Sequence, residues 1–134
     1  MYRAVKTVTK VILLFVLTLG IYIGLFLYTA DDMCKNIVYK EYASPNAQLK
    51  AVVFVRDCGA TTGFSTQISI LDFNESLKSN GNIFIITGQP SEVAPSLKWR
   101  GSSELFIDYS INGSEFKAKK SYGYFNRVKI IYKN

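Results

Sequence analysis

Val11-Ile-Leu-Leu-Phe-Val-Leu-Thr-Leu-Gly-Ile-Tyr-Ile-Gly-Leu-Phe-Leu27 is an apolar run without a single charge. With Tyr28, Thr29 and Ala30 it reaches about twenty residues, the length a helix needs to cross a bilayer core. Thr18, Gly20, Tyr22 and Gly24 are its only departures from Leu, Ile, Val and Phe. A membrane helix accommodates all four, because it satisfies its own backbone polar groups. The run reads as a transmembrane helix, so everything after it is displayed on one side of a membrane.

Arg3, Lys6 and Lys10 precede the run, and Asp31 and Asp32 follow it. Positive charge is retained on the cytoplasmic side, which places the amino terminus inside and the remaining chain outside. The expected organisation is a cytoplasmic basic flank (1–10), a signal-anchor helix (11–30) and an exported domain (31–134). A cleaved signal peptide shares the basic start. Its apolar core is usually only about 7–15 residues, however, and cutting after Ala30 would leave bulky Tyr28 where a small residue is wanted. A lipoprotein anchor at Cys34 fits poorly behind Asp31, Asp32 and Met33. The expected address is a bacterial cytoplasmic membrane, crossed once, with the domain periplasmic or extracellular.

The exported part carries thirteen basic and all ten acidic residues, a net +3 against +6 for the whole chain. Half of the basic character therefore belongs to the inside flank, and nucleic acid is not an expected partner. The chain has no His, which removes the commonest general base and metal ligand. No cofactor and no metal site is expected. Two cysteines, Cys34 and Cys58, both fall on the exported side. An even count in an oxidising compartment reads as one disulfide between them.

From Asn36 onward the chain is rich in Val, Ile, Phe, Tyr and Thr, with turn formers every eight to twelve residues. Strands are expected at Ile37–Tyr42, Leu49–Asp57, Phe64–Leu71, Ile83–Thr87, Leu97–Trp99, Glu104–Ile111, Ser114–Lys120 and Arg127–Lys133. Ser44-Pro45-Asn46-Ala47 reads as a turn, and Glu75 to Lys78 as a short helical turn. Asn112-Gly113 signals a hairpin between its two flanking strands. The expected fold is mainly β: one transmembrane helix, then a small antiparallel domain, either a meander or a sandwich.

Ser44-Pro45-Asn46 followed by Lys50-Ala51-Val52-Val53-Phe54 resembles the turn-and-strand of TolB-like propeller blades. The pair Leu97-Lys98-Trp99 and Glu104-Leu105-Phe106-Ile107 resembles the end of such a blade. A closed propeller needs at least four blades of about forty residues, so the pattern implies a local sheet and no propeller function.

The least generic stretch is Arg56-Asp57-Cys58-Gly59-Ala60-Thr61-Thr62-Gly63-Phe64. It resembles a family of small, functionally uncharacterised bacterial proteins, exported or membrane-anchored, that share an Arg-Asp-Cys-Gly-Ala-Thr-Thr-Gly segment. The resemblance spans roughly Cys34 to Tyr109. It implies an envelope location and a paired-cysteine domain, and it brings no activity with it.

Physically, Gly59 and Gly63 allow backbone angles closed to other residues, while Thr61 and Thr62 offer hydroxyls beside Arg56 and Asp57. The stretch is a candidate binding loop, or else a structural loop whose hydroxyls cap backbone groups. It lacks the Gly-Lys-Ser/Thr ending of a phosphate-binding loop. A second candidate is a basic surface of Lys117, Lys119, Lys120, Arg127, Lys129 and Lys133, interleaved with aromatics. It suits anionic lipid or envelope polymers, or it simply guards the last strands against edge pairing. Glu104 and Asp108 lie some 13 Å apart along one strand face by the strand rise, too far for a glycosidase pair. The expected function is thus a non-catalytic binding module with an envelope protein as partner, of an inhibitor or immunity type. The alternatives are an enzyme acting on an envelope polymer, and a lipid or polyanion surface.

Overall fold

Leu49, Ala51 and Val53 point to one side of their strand and Val52, Phe54 and Arg56 to the other, yet all six are buried. Alternation with period two would leave one side wet. A strand buried on both faces lies inside its sheet and is covered twice. The computed structural model, which describes residues 1–30, 34–59 and 62–134, gives the cause.

The chain divides into two units, residues 1–34 and 35–134. The first is helix α1 (Tyr2–Ala30), whose Tyr2–Thr29 stretch is long and apolar enough to cross a membrane. The helix takes in the basic flank as well as the apolar run. Thr18 donates its hydroxyl to the Phe15 carbonyl at 2.9 Å, and Thr29 to those of Leu25 and Phe26. These hydroxyls need no water, which suits a helix in lipid. Cys34 and Cys58 form a disulfide bond with each other.

The second unit holds two sheets. Strands β1 (Lys35–Ala43), β2 (Leu49–Asp57) and β3 (Phe64–Asp72) form an antiparallel meander that continues into β4 (Phe84–Thr87). After a four-residue helix α2 (Pro90–Val93), β5 (Leu97–Trp99) and β6 (Glu104–Ser110) begin the second sheet. Strand β7 (Lys117–Ala118) returns to the first sheet beside β4. Strands β8 (Ser121–Tyr122) and β9 (Val128–Lys133) then complete the second, whose order is β5-β6-β9-β8. The protein is therefore mainly β, with one N-terminal apolar helix and a small domain that is antiparallel except where β9 runs parallel to β6.

The main core is shared by the two sheets. Leu49, Ala51, Val53, Ile68, Ile70 and Phe84 come from the first, and Leu105, Ile107, Val128 and Ile130 from the second. Phe84 meets Tyr109 edge-to-face, with ring centroids 5.0 Å apart. Trp99 packs against this core and donates its indole N–H to the Tyr42 carbonyl at 2.9 Å. That bond ties the second sheet to β1.

The outer face of the first sheet has a cover of its own. The chain between β3 and β4 lays half-buried Leu77 on Val52, Phe54 and Leu71. Gln67, only 4% exposed, accepts the Gly81 N–H at 2.6 Å and donates to Ser65 Oγ. Asn82 accepts from the Ile70 N–H and donates to the Ile70 carbonyl. Buried amides cost little when every end is bonded.

Two sequence expectations are corrected. Residues 75–78 form no helical turn; Glu75 N–H closes a tight turn on the Asp72 carbonyl, and the irregular chain that follows sets Leu77 on the sheet. Asn112-Gly113 does not join a hairpin, because β6 pairs with β5 and β9 while β7 pairs with β4. The turn is instead closed by side chains. Glu115 accepts the N–H groups of Asn112 and Gly113 through its two carboxylate oxygens, and Asn112 Oδ1 accepts that of Ser114. Helix α2 was also unexpected; Pro90 at its start supplies a pre-set backbone angle.

Candidate functional site

Arg56 and Asp57 end β2, and Phe64 opens β3 opposite Asp57. The connection between them is the first candidate site. Arg56 is 5% exposed and points to the outer face, where its Nη1 donates to Asn36 Oδ1 at 3.0 Å. Asn36 in turn donates to the Ser79 carbonyl. Arg56 is thus part of the clasp that holds the covering segment. Asp57 Oδ1 accepts the Gly59 N–H at 2.9 Å, and the Gly59 carbonyl accepts both the N–H and the hydroxyl of Thr62. Gly59 and Gly63 both have positive φ, +100° and +68°, a region where a β-carbon is penalised. Thr61 lies outside the described residues. Gly59 and Thr62 are thus bonded to each other, and Gly59, Thr62 and Gly63 are exposed.

The six basic residues of the second candidate do not form one surface. Lys117, half-buried on the first sheet, donates to the Gly81 carbonyl at 2.7 Å. Arg127 faces Asp72 at 3.9 Å, and Lys133 faces Asp108 at 3.1 Å. Lys119, Lys120 and Lys129 are exposed and form no ion pair among the described residues. Lys120, Lys129 and Lys133 share a shallow groove of about 560 Å³ with Ser110, Ile111 and Tyr132. The Tyr132 hydroxyl donates to the Lys119 carbonyl; burial first, and the Glu115 carboxylate second, hold its pKa well above the ordinary value.

An open cleft of about 600 Å³, lined by Asp72, Tyr122, Gly123, Tyr124 and Arg127, was not foreseen. The Tyr122 hydroxyl is pushed up by burial and then by the carboxylates of Asp72 and Glu75, with Arg127 opposing. Sequence alone gave no cue, since Asp72 ends β3 and reaches Arg127 only through the fold. Among the described residues no cluster of His, Cys, Asp or Glu could hold a metal ion. Glu104 stands 3.9 Å from Arg100, and Asp108 is engaged by Lys133.

No curated protein and no solved structure matches the chain. A family model does, over residues 2–126, which takes in the apolar helix, both cysteines and most of the β domain. The chain therefore belongs to the family of unknown function DUF5412.

Proposed function

We propose that the protein is a non-catalytic binding module of a bacterial envelope. Helix α1 is its retained signal-anchor in the cytoplasmic membrane, the amino terminus is inside, and residues 31–134 stand on the periplasmic or outer side. The basic flank before the span and the disulfide after it support this orientation. The partner is another envelope protein, held as an inhibitor or immunity protein holds its target. Glu104 and Asp108, each already facing a cation, support a role without acid–base chemistry.

The observation that carries the reading is β1. Among the described residues it is an edge strand whose one paired neighbour is β2, and its Ile37, Val38 and Tyr39 are 47%, 48% and 55% exposed. Such an edge is a template for another chain. Lys35, Lys40 and the irregular register between Val38 and Lys40 guard it against indiscriminate pairing. A photo-crosslinking residue at Val38, in the full chain in native membranes, should capture one envelope protein. The same residue at exposed Lys98 should not. Equal capture at both positions, or none at Val38, would remove the partner. Resistance of the domain to protease added to spheroplasts would reverse the orientation.

A further inference from the structure

The hairpin from β8 to β9 turns through Gly123 and the 3-10 turn Tyr124–Asn126. At its tip Tyr124 is 92% exposed and Phe125 fully exposed. Phe125 also has φ 56° and ψ 32°, the left-handed region that bulky residues avoid. Neither packing nor backbone preference accounts for an aromatic there; Gly or Asn would fold more easily. Two adjacent aromatics held out at a strained tip call for an apolar environment that the domain itself does not supply.

The surroundings of the tip are basic. Lys119 and Lys120 precede β8, and Arg127 and Lys129 follow the turn. No acidic residue occurs after Glu115. The carboxylates around this group are Asp72, against Arg127 at 3.9 Å, Glu75, which acts with Asp72 on Tyr122, and Glu104, opposite Lys129 on the neighbouring strand. Tyrosine favours the membrane interface, where its hydroxyl stays wet, and phenylalanine favours the apolar layer beneath it. Lysines beside them favour anionic headgroups.

We infer that the β8–β9 tip rests in the headgroup layer of an anionic bilayer, with Tyr124 and Phe125 inserted and Lys119, Lys120 and Lys129 on the phosphates. The inference rests on the reading of α1 as a retained span.

The test uses the full chain in vesicles of phosphatidylethanolamine and phosphatidylglycerol, with a photo-crosslinking phenylalanine at Tyr124, at Phe125 or at exposed Ser102. Flotation after alkaline extraction reads the anchor separately; a chain that does not float overturns the anchor and the tip together. In chains that float, phospholipid adducts should form several-fold more often at Tyr124 and Phe125 than at Ser102. Replacing phosphatidylglycerol with phosphatidylcholine should lower them, and Lys129→Gln should do so by up to about fivefold. Adducts no more frequent than at Ser102, adducts indifferent to the headgroup exchange, or adducts to a second copy of the chain would overturn the tip contact while leaving the anchor intact.

Discussion

Gly81 donates its backbone N–H to Gln67 Oε1 at 2.6 Å, both residues being buried, and so fixes the segment between β3 and β4 to the outer face of the first sheet. The fit there is close. A β-carbon on Gly81 would stand 2.9 Å from Gln67 Cβ and 2.9 Å from the Phe84 carbonyl oxygen. This segment is what turns a sheet with one wet face into one buried on both.

Gln67→Leu keeps the approximate volume and strands the buried Gly81 N–H. It should cost about 1–3 kcal/mol, the desolvation penalty of an unpaired buried donor. Gly81→Ala should cost a similar amount through overpacking. Urea unfolding of the two variants checks both, and hydrogen exchange should show the loss first in residues 73–83.

The Trp99 indole bond to the Tyr42 carbonyl is a polar link between the sheets. Trp99→Phe keeps an aromatic ring against the core and removes the donor. The expected loss is about 1 kcal/mol, a fall in melting temperature of about 4–8 °C for a domain of this size. A melting temperature that does not move would show that the link carries no stability.

Glu115 should make the turn at Asn112-Gly113 acid-sensitive. Its pKa is lowered, mainly by the backbone hydrogen bond from Asn112. A lowered folded-state value means that the stabilisation is present above the unfolded-chain value, about 4.3. It is lost as pH falls through the lower folded value. Amide exchange at Asn112 and Gly113 should therefore accelerate, relative to other exposed turns, as pH drops below about 4. Glu115→Ala should show the faster exchange already at neutral pH, and no further change on acidification.

The same turn marks where the sequence misleads. Asn-Gly between two β-rich runs is a strong hairpin signal because of its local backbone preference. Here the preference is satisfied within residues 112–115 by Glu115 and Asn112, and the chain is released to cross from one sheet to the other. Strands β2 and β3 were legible nearly to the residue because their alternation is long and their turns are flanked by Pro45 and by Gly59 and Gly63. The double burial of β2 was not legible, since its cover is a polar-looking segment in which Leu77 is the one apolar residue between Phe73 and Ile83 at its ends. The basic residues were legible as a cluster in sequence but not in space, because β7 carries Lys117 into a different sheet from Lys129. The aromatic tip was visible only as composition; its exposure and the positive φ of Phe125 are properties of the folded hairpin.

Reduction of the Cys34–Cys58 bond should destabilise the domain by roughly 3 kcal/mol, through the unfolded chain's regained freedom. Thermal melts with and without reductant measure it. Labelling of the unreduced, unfolded protein should find no thiol.

The loop after β2 separates structure from recognition through two neighbouring substitutions. Thr62 is exposed and its hydroxyl only reinforces a bond its own N–H already makes to the Gly59 carbonyl. Thr62→Ala should change stability by less than about 0.5 kcal/mol. Gly63, at φ +68°, should cost about 1–2 kcal/mol when replaced by Ala, because the added β-carbon meets its own backbone. If the loop is structural, growth or partner capture should follow stability, with Gly63→Ala impaired and Thr62→Ala normal. If it is a recognition surface, Thr62→Ala should lose partner capture at unchanged melting temperature. The self-closing bonds of the loop favour the first outcome, with Gly63→Ala as the more damaging change.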